Sequence, residues 1–538
     1  SSSSSSSKEG NVIQDLENER NRIAVEKKSA SELFRSLLVY RICTINPLVN
    51  VAPKLIHLAE RIHCSSPVYW TIRKTFFVQF CGGETAEDCI GTMKEFKGAG
   101  IHSILDLAVE ADLNEDVDAS HPTPDETREL FNKKADQVAE QIGTSIETAS
   151  HMPKSFAAVK ITSSGSPLLL QQVSSVLTAL QVKFKSMDQD GDGMINKEAF
   201  KQLVSMMPGS SSSSSSSTLV DDLFWEADKD QDGLVDWVDW SSTVSLNRDE
   251  TRQLFRQENT DRESGIPGLT PGDVDDYKRL LDRMEKLCRQ GKSKDTRLML
   301  DAEQTYFQPA IDSVAWHLQE QFNRIQDANG PLVYCTYQMY LKGALDRLQQ
   351  DVARARRNKY VKAVKMVRGA YMVSERQRAK TLKLEDPIHA NIEATHASYD
   401  AGVEFMLEVM AEEQDRLRVG QDHEGVSGVL SPQNSPVVLV VASHNVNSVI
   451  RTCERMQALG LAPQSEVVMF GQLMGMCDQI SFTLGQYGYC VYKYIPYGPV
   501  QDVIPYLIRR AQENSSVLGG EGVVVERRQL WEELKSRL

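Results

Sequence analysis

The stretch Val437-Val438-Leu439-Val440-Val441-Ala442-Ser443-His444-Asn445 joins a continuous apolar run to three polar residues. An apolar run of this length, rich in β-branched side chains, is typical of a parallel strand that is buried on both faces. In α/β proteins, the residues at the carboxyl end of such a strand commonly carry the functional groups. The stretch therefore predicts a buried strand that delivers Ser443, His444 and Asn445 to a site.

Seven further runs of this kind occur along the chain, and segments with helical periodicity separate them. Two of these helical segments are Ala344–Ala355 and His396–Glu412. The eight predicted strands are Ser103–Val109, Ala157–Thr162, Arg297–Ala302, Leu332–Tyr337, Ala363–Val367, Val437–Ala442, Glu466–Phe470 and Cys490–Ile495. Eight alternating β/α units predict a closed (β/α)₈ barrel, whose chemistry lies at the carboxyl ends of the strands.

Polar and aromatic residues follow or end most of the predicted strands. Because they belong to different strands, they converge on one site only if the barrel closes. They are Lys160, Asp301, Glu303, Gln338, Arg368, Tyr371, Ser443, His444, Asn445 and Tyr494.

Near the end of the chain, residues 502–514 predict a helix with Asp502 as its N-cap and Pro505 in its first turn. One face of this helix is polar and the opposite face, which contains Val503 and Leu507, is apolar. The polar stripe is Tyr506, Arg509, Arg510 and Glu513. Adjacent arginines repel each other and require an anionic partner, and two planar guanidinium groups suit a small carboxylate or a phosphate. An exposed helix with an Arg509–Glu513 ion pair is the alternative interpretation.

Length and composition bound the class of protein. The 538 residues suffice for one large barrel domain with additions, and the net charge of -14 excludes a general nucleic-acid binder and an overall attraction to anionic membranes. Nine cysteines lie dispersed without a Cys-x-x-Cys pair, which is typical of reduced intracellular thiols. No apolar run is long enough to span a bilayer. No cleavable signal or Arg-rich transit peptide stands at the start, so we expect any such segment to have been removed or left out.

The chain divides into five predicted parts. The domain ranges are 1–95 for an N-terminal helical arm, 96–180 for the first part of the barrel, 181–266 for an insertion, 267–520 for the rest of the barrel, and 521–538 for a helical tail. Two serine runs, at residues 1–7 and 210–217, are predicted to be disordered. An aromatic and basic cluster between Pro67 and Phe80 is predicted to pack against the barrel, with a membrane-interface patch as the alternative.

The insertion contains two Asp-x-Asp-x-Asp-Gly segments that resemble EF-hand calcium loops. In the first loop the twelfth position is Ala199, which has no ligand oxygen, and in the second it is Asp239, which is shorter than the usual glutamate. The predicted metal ligands are Asp188, Asp190, Asp192, Asp228, Asp230, Asp232, Asp236 and Asp239. We therefore expect a helical EF-hand-like unit with a weak or vestigial Ca²⁺ site, stronger in the second loop.

Around the strand ends the sequence resembles the proline dehydrogenase family of flavoenzymes, from about Ile101 to Gly520 apart from the insertion. The animal mitochondrial form is most similar, particularly over residues 301–312 and 470–480. The motifs that carry the likeness are Asp301-Ala302-Glu303, Val367-Arg368-Gly369-Ala370-Tyr371, Ser443-His444-Asn445, Tyr494-Ile495-Pro496 and the Tyr-x-x-Arg-Arg-x-x-Glu helix.

This resemblance implies a distorted (β/α)₈ barrel that holds FAD. It also implies oxidation of L-proline to Δ1-pyrroline-5-carboxylate, the first step of proline catabolism, by hydride transfer from C5 to flavin N5. Electrons would pass to a membrane quinone. The implied location is peripheral, on the matrix side of the mitochondrial inner membrane.

The resemblance also assigns roles to individual residues. Arg509 and Arg510 would hold the substrate carboxylate, and Lys160 would add a third positive charge. Asp301 and Glu513 would balance these charges, with Asp301 paired to one of the two arginines. The residues that would wall the proline ring are Tyr371, Leu473, Tyr494 and Tyr506. The flavin contacts would be Gln338, Lys365, Arg368, Gly369, Ser443, His444 and Asn445.

Some residues depart from the family pattern. Bacterial members have arginine at the position of Lys365, and Cys335-Thr336-Tyr337 replaces a Gln-Ala-Tyr, so Gln338 is shifted from the family glutamine. No Gly-x-Gly-x-x-Gly follows a strand, which gives no support to a Rossmann domain. Hydroxyproline-preferring relatives tend to have a smaller residue at the position of Tyr494, so the resemblance implies that this bulky side chain favours proline.

Three alternatives stay open. One is a hydroxyproline-preferring dehydrogenase of the same family. The second is another flavin barrel, such as a folate-reducing enzyme, which would not need twin arginines. The third is a calcium-sensing EF-hand protein on a catalytically degenerate barrel.

Overall fold

Eight parallel strands close into a barrel in the computed structural model, which describes residues 11–63, 65–108, 124–210, 217–257, 265–325, 327, 329–424, 429–515 and 520–538. The barrel strands are β1 (Ile101–Leu107), β2 (Phe156–Val159), β5 (Arg297–Leu300), β6 (Val333–Gln338), β7 (Lys362–Val367), β8 (Val437–Ala442), β9 (Val468–Leu473) and β10 (Val491–Tyr497). Around the barrel they run β1-β10-β9-β8-β7-β6-β5-β2, so strands that follow one another along the barrel chain are neighbours in space. The predicted (β/α)₈ barrel is confirmed.

Each predicted strand overlaps an observed one, and the differences lie at the ends. The second strand ends at Val159, because Ile161–Ser164 turns into a short helix with Lys160 at its N-cap. The last two strands run further than predicted, to Leu473 and Tyr497. The extension of β9 carries Leu473 into the sheet ladder, where it pairs in register with Tyr494.

The barrel interior is filled by side chains that alternate along the strands, as the two-residue period of a strand requires. At its amino end, the Phe156 ring meets the rings of Tyr334 and Tyr492 edge-on, with centroids 4.9 and 5.1 Å away. All three aromatic side chains are fully buried, so they close this end of the barrel interior.

Helices cover the barrel and extend the chain at both ends. The predicted segment Ala344–Ala355 is helical as far as Asn358, and His396–Glu412 is the middle of a longer helix. The α-helices are Val12–Glu17, Ala30–Cys43, Asn46–Arg61, Ser65–Ile72, Val78–Phe80, Cys89–Gly98, Pro124–Ala149, Ile161–Ser164, Pro167–Met187, Lys197–Ser205, Ser217–Ala227, Trp237–Thr243, Asp249–Arg252, Pro271–Ser293, Gln308–Phe322, Ala344–Asn358, Met372–Leu382, Ile392–Glu424, Val446–Leu459, Asp478–Gln486, Ile504–Glu513 and Gly520–Ser536. A π-helical turn, Arg73–Phe77, and a 3₁₀ turn, Gln253–Phe255, complete the set.

The N-terminal helices form a layer over the helix Ile504–Glu513, which we call the clamp helix. Helix Ala30–Cys43 begins at Ser29 with a capping box closed by Glu32. Phe77 and Phe80, from the predicted aromatic cluster, are buried in the apolar cluster that also contains residues of the clamp helix. The predicted packing of these two rings is therefore confirmed, whereas Trp70 is exposed.

The insertion contains two short antiparallel strands, β3 (Met194–Asn196) and β4 (Leu234–Asp236), each followed directly by a helix. Ile195 and Val235 pair at the centre of this small sheet, and both are buried. The predicted boundary at residue 181 falls inside helix Pro167–Met187, so this helix joins the barrel and the insertion without a break. Apart from Ser210 and Ser217, the serine runs lie outside the described residues.

The eight cysteines among the described residues are all unpaired, as the composition predicts. In the same part of the chain, no helix combines the length and the apolar character needed to cross a bilayer.

Candidate active site at the carboxyl end of the barrel

The carboxyl end of the barrel carries polar residues, each two positions after a buried interior residue in the sequence. The two-residue period of a strand turns both members of such a pair to the same side. The pairs are Ile104 and Asp106, Ala158 and Lys160, Met299 and Asp301, Ala363 and Lys365, and Tyr492 and Tyr494. Strand alternation and barrel closure thus bring five polar side chains from five strands to one place.

These polar side chains form two linked ion pairs. Lys160 Nζ donates to Asp106 Oδ1 at 2.7 Å, and Lys365 donates to Asp301 Oδ1. The Tyr494 hydroxyl donates to the other Asp301 oxygen at 2.6 Å. The four charged side chains are at most 14% exposed, so water screens them little. The expectation that Asp301 pairs with an arginine of the clamp helix is therefore wrong.

The two carboxylates differ in their protonation equilibria. Burial acts to raise the pKa of Asp301, but Lys365 and Lys160 outweigh it and hold the pKa below its usual range. Burial raises the pKa of Asp106 despite the neighbouring Lys160. Burial, together with Asp106 and Asp301, raises the pKa of Tyr494 well above its usual value, so this phenol keeps its proton and donates. Each lysine is matched by a carboxylate, so any net positive charge offered to an anion must come from elsewhere.

The clamp helix supplies that charge. Tyr506 and Arg510 are 6% and 5% exposed, and the Arg510 guanidinium lies 4.8 Å from the centre of the Tyr506 ring. Arg510 pairs with Glu513, as a member of the same helical stripe. Within the described residues, the Tyr506 hydroxyl and Arg510 Nε have no hydrogen-bond partner. Buried donors without partners are costly, so these two donors are available for the acceptor atoms of a ligand.

Packing, rather than the expected cap, sets the start of the clamp helix. Val503 occupies the N-cap position, is fully buried and makes no side-chain cap. Asp502 is exposed in the preceding turn, so the predicted N-cap is wrong, whereas Pro505 does lie in the first turn. Arg509 is half-buried, and Glu513 pairs with Arg510 instead of Arg509. The helix is seated against the N-terminal layer, which excludes the exposed-helix alternative.

The other predicted wall residues lie beside this helix. Leu473 is half-buried and packs against the apolar cluster under the clamp helix, next to Tyr494 in the sheet. Tyr371 is half-buried at the N-cap position of helix Met372–Leu382, which follows β7. Their contact with a substrate stays a prediction.

The predicted flavin residues come from β6, β7 and β8, which are adjacent in the barrel. Arg368 follows β7 and donates to His396 Nδ1, Ser443 Oγ and Ser448 Oγ at 2.8, 2.8 and 2.9 Å. These three bonds hold the guanidinium in one orientation between the ends of β7 and β8. One side of the barrel mouth therefore carries the predicted cofactor residues, and Lys365 stands between them and the substrate residues.

The polar tripeptide after β8 is held by the protein itself. Ser443 Oγ accepts from the Asn445 amide at 3.0 Å, and Asn445 Oδ1 caps helix Val446–Leu459 by accepting from the Ser448 amide at 3.0 Å. His444 Nε2 accepts from the Leu473 amide at 3.1 Å. Burial and nearby cations lower the pKa of His444 to about 3, so its imidazole is neutral. The flavin contacts of these three residues stay predictions.

Gln338 and Gly369 link the loops after β5, β6 and β7. Gln338 donates to the Glu303 carbonyl at 2.8 Å and accepts from the Ala370 amide at 3.2 Å. Gly369 has a φ of +146°, and a Cβ there would lie 2.4 Å from the Tyr340 ring. Crowding against Tyr340 thus requires this glycine, and its contact with a flavin stays a prediction.

Sequence analysis missed two features of the site. Asp106 is an acid inside an apolar strand, two residues after an interior position, and this signal could have identified it. A buried network holds the loop after β9: Lys493 is fully buried and contacts Asp478 at 2.8 Å, while Lys28 binds the same carboxylate at 2.7 Å. Glu526, from the last helix, accepts from the Cys477 amide at 3.1 Å. Segments from both ends of the chain thus fix the loop that begins at Leu473.

Glu303 gives a testable pH dependence. It accepts from the Thr162 amide and hydroxyl at 3.2 and 2.6 Å, and burial raises its pKa to about 7. The folded state therefore holds this proton more tightly than the unfolded state, and the free energy of unfolding should fall by about 3 kcal/mol as the pH rises from about 4.5 to 7. Glu303→Gln should remove this part of the dependence. Denaturant unfolding of both proteins between pH 5 and 8 measures it, and parallel curves would contradict it.

Comparison with known proteins agrees with this geometry. A sequence profile of the family described as Proline dehydrogenase matches residues 89–520. The chain belongs to the proline dehydrogenase family. Human proline dehydrogenase 1, mitochondrial, is 32% identical over 96% of this chain and 88% of that protein, and the Caenorhabditis elegans protein of that name is 32% identical over 97% and 89%. Hydroxyproline dehydrogenase from Bos taurus is 31% identical over 96% of this chain and 92% of that protein.

A solved structure shows the same fold as this proline dehydrogenase family member. It is proline utilization A (PutA) from Bdellovibrio bacteriovorus, inactivated by N-propargylglycine, with a TM-score of 0.56 and 14% identity. The match covers 98% of this chain, which spans 44% of the length of that one. The predicted family and the class of oxidoreductase are confirmed, and the family is generally flavin-dependent.

Proposed function

We propose that this protein oxidises L-proline to Δ1-pyrroline-5-carboxylate with FAD as its cofactor. The observation that carries the proposal is the buried Tyr506–Arg510 pair, in which the Tyr506 hydroxyl and Arg510 Nε have no acceptor among the described residues, on a helix seated at the mouth of the barrel. A small carboxylate supplies such acceptors. The assembled ion pairs of the barrel mouth also favour an enzyme over a degenerate scaffold for a calcium sensor.

The residues of this chain would act mainly by positioning the substrate. Arg510 and Arg509 would bind its carboxylate, and Tyr494, Tyr506 and Leu473 would enclose the ring. The two lysines of the barrel mouth, Lys160 and Lys365, are each paired with an aspartate. They therefore do not compete with the guanidinium groups for the substrate carboxylate. Holding the C5–H bond at the reacting distance removes several kcal/mol of the barrier, because it replaces an encounter in solution.

The predicted cofactor side fits a flavin by its chemistry. Lys365, Arg368 and Gln338 are donors contributed by neighbouring strands, as an isoalloxazine ring with several acceptor atoms requires. FAD, when bound, would supply the two-electron acceptor for a hydride from C5. The lone pair of the neutral ring nitrogen would form the C=N bond, and the resulting iminium would release its N–H proton to water. We further propose a membrane quinone as the final electron acceptor. The relatives named mitochondrial support a mitochondrial location, with peripheral association at the matrix side of the inner membrane.

The experiment is an anaerobic titration. Purified protein should be yellow, and its flavin absorbance should bleach when proline is added. Δ1-Pyrroline-5-carboxylate is then measured by its reaction with o-aminobenzaldehyde. A preparation that stays colourless in added FAD, or a bound flavin that proline does not reduce, would contradict the proposal.

Hydroxyproline oxidation is the second candidate, because a hydroxyproline dehydrogenase matches at 31% identity. The Tyr494 hydroxyl is tied to Asp301 at 2.6 Å, so its ring is held in place and occupies space beside the substrate position. We expect kcat/KM for proline to exceed that for 4-hydroxyproline, and Tyr494→Ser to narrow the ratio at least about tenfold. A wild-type preference for 4-hydroxyproline would make hydroxyproline the substrate. If Tyr494→Ser left the ratio of the two kcat/KM values unchanged, Tyr494 would not determine substrate specificity.

We also propose a weak Ca²⁺ site in the insertion. The ligand oxygens of Asp188, Asp190 and Asp192 lie within 4.8 Å of one another. The corresponding oxygens of the second loop, from Asp228, Asp230 and Asp232, meet the same limit.

In the second loop, Arg357 contacts both Asp236 and Asp239 at 2.7 Å, so these two carboxylates already hold a cation. Arg357→Gln should therefore tighten Ca²⁺ binding about tenfold, because Asp239 becomes available as a ligand. Arg356→Gln, which removes only a surface pair with Glu412, is the control. Calorimetry should give dissociation constants above the micromolar range for the wild type. Submicromolar binding at both loops, or no effect of Arg357→Gln, would contradict the site as described.

A further inference from the structure

Helix Asn46–Arg61, in the N-terminal layer, carries an apolar stripe that stays exposed among the described residues. Leu48, Val51, Leu55, Leu58 and Ile62 are 41% to 59% exposed. Their spacing of three and four residues places them within about 80° of one another around the helix. An uninterrupted row of large exposed apolar side chains marks an interaction surface, whereas single exposed residues do not.

The stripe does not serve the folding of the helix. Val49, on another side, is buried in the apolar cluster that includes the clamp helix, and helix Asn46–Arg61 contacts the clamp helix directly. The helix is therefore already anchored to the barrel mouth by its inner side. The stripe points away from that anchor.

A second uncovered apolar region belongs to the same layer. Helix Ala30–Cys43, which contacts helix Asn46–Arg61, forms a groove with the last helix of the chain. Phe34, Val524 and Trp531 line the groove and are 62%, 54% and 59% exposed. Arg41, Arg527 and Arg528 line it as well.

The charge around the stripe is opposite in sign to that of the whole chain. Residues 30–80 contain six Lys and Arg and two Glu, which gives +4, whereas the whole chain carries -14. On helix Asn46–Arg61, Lys54 and Arg61 border the stripe, because each lies three positions from one of its leucines or valines. Glu60 lies on a different side of the helix, where the Tyr69 hydroxyl donates to it at 2.5 Å.

We propose that the stripe of helix Asn46–Arg61 inserts into the surface of an anionic phospholipid bilayer. An apolar face bordered by lysine and arginine is the pattern that lies in a membrane interface, where anionic headgroups meet the basic border. A second copy of this chain fits the surface less well, since a symmetric pair would set the basic borders against each other. Any link between this surface and catalysis rests on the proposed function. Binding through the stripe would place the barrel mouth, with its flavin and quinone chemistry, one helix layer from the lipid.

Vesicle flotation tests the proposal with the full chain. The wild type should bind vesicles of phosphatidylcholine with 30% phosphatidylglycerol and bind pure phosphatidylcholine about tenfold more weakly. Leu55→Gln/Leu58→Gln should lower the partition coefficient at least about tenfold. Leu384→Gln/Val419→Gln is the matched control, because both residues are exposed apolar positions outside the layer. Equal binding by the two double variants would overturn the proposal.

Reversing the charges that border the stripe distinguishes an anionic bilayer from other binding partners. Lys54→Glu/Arg61→Glu should abolish the preference for anionic vesicles. Proline oxidation with a soluble dye as acceptor should stay unchanged in every variant of the stripe, so loss of docking and loss of catalysis are distinguishable. Sedimentation velocity without lipid provides the second readout. A wild-type dimer that Leu55→Gln/Leu58→Gln converts to a monomer would assign the stripe to a second copy and overturn the proposal.

Discussion

Replacing Arg510 by methionine should lower kcat/KM for proline by about three orders of magnitude, or roughly 4 kcal/mol of transition-state stabilisation. The guanidinium is buried beside Tyr506, and its Nε has no partner among the described residues. A charge-assisted hydrogen bond in such a place is strong, because little water competes for it. Methionine keeps much of the volume and removes the charge.

The measurement is steady-state kinetics together with the flavin content of the purified protein. Since the predicted cofactor residues lie on or directly after β6 to β8 and none of them is on the clamp helix, the flavin should remain bound. Arg528→Met is the control, because Arg528 forms an exposed pair with Glu19. Equal loss of flavin and of proline affinity would place Arg510 on the cofactor instead of the substrate.

Replacing Lys365 by methionine should lower the free energy of unfolding by about 3 kcal/mol near pH 7. Asp301 would then remain buried without its ion-pair partner, and a carboxylate left in this way is costly. In the wild type the lowered pKa of Asp301 contributes stability that is present above its unfolded pKa and is lost as the pH falls through the folded pKa. Without Lys365 that pKa should rise, so the destabilisation should shrink as the pH is lowered.

Denaturant unfolding at several pH values measures this effect. The double variant Lys365→Met/Asp301→Asn should recover part of the lost stability, because it removes both charges of the pair. Lys342→Met, which breaks only an exposed pair with Glu385, should change stability by less than about 1 kcal/mol. If Lys365→Met lowered the free energy of unfolding by the same amount at every pH, an unpaired Asp301 carboxylate could not be the cause of the destabilisation.

Most of the barrel could be predicted because its strands carry their signal locally. A run such as Val437–Ala442 is apolar throughout, which only a strand buried on both faces requires. The ends of the strands were less certain, because a strand can continue past its apolar run while the neighbouring strand still pairs with it. In β10, for example, pairing with β1 continues to Tyr497, which pairs with Leu107. The start of the clamp helix was missed for a related reason, since the burial of Val503 outweighed the capping preference of Asp502.

The partners within the site could not be read from the residues that form it. From the sequence, the two arginines of the clamp helix were the expected partners of Asp301. In the folded barrel, Lys365 and Tyr494 bind this carboxylate instead. Asp106 and Lys160 lie far apart in the chain and meet only because β1 and β2 are neighbours. Similarly, Arg357 approaches Asp239 from a helix of the barrel.

The sequence by itself determined the number of barrel strands, the residue types at the barrel mouth and the family, because these depend on local apolar patterns and short motifs. The tertiary structure decided which charges neutralise each other, and it left the buried Tyr506 hydroxyl and Arg510 Nε without acceptors among the described residues. The physical reason is that ion pairing depends on distance in space and on the exclusion of water, and both arise only when strands and helices from distant parts of the chain pack together.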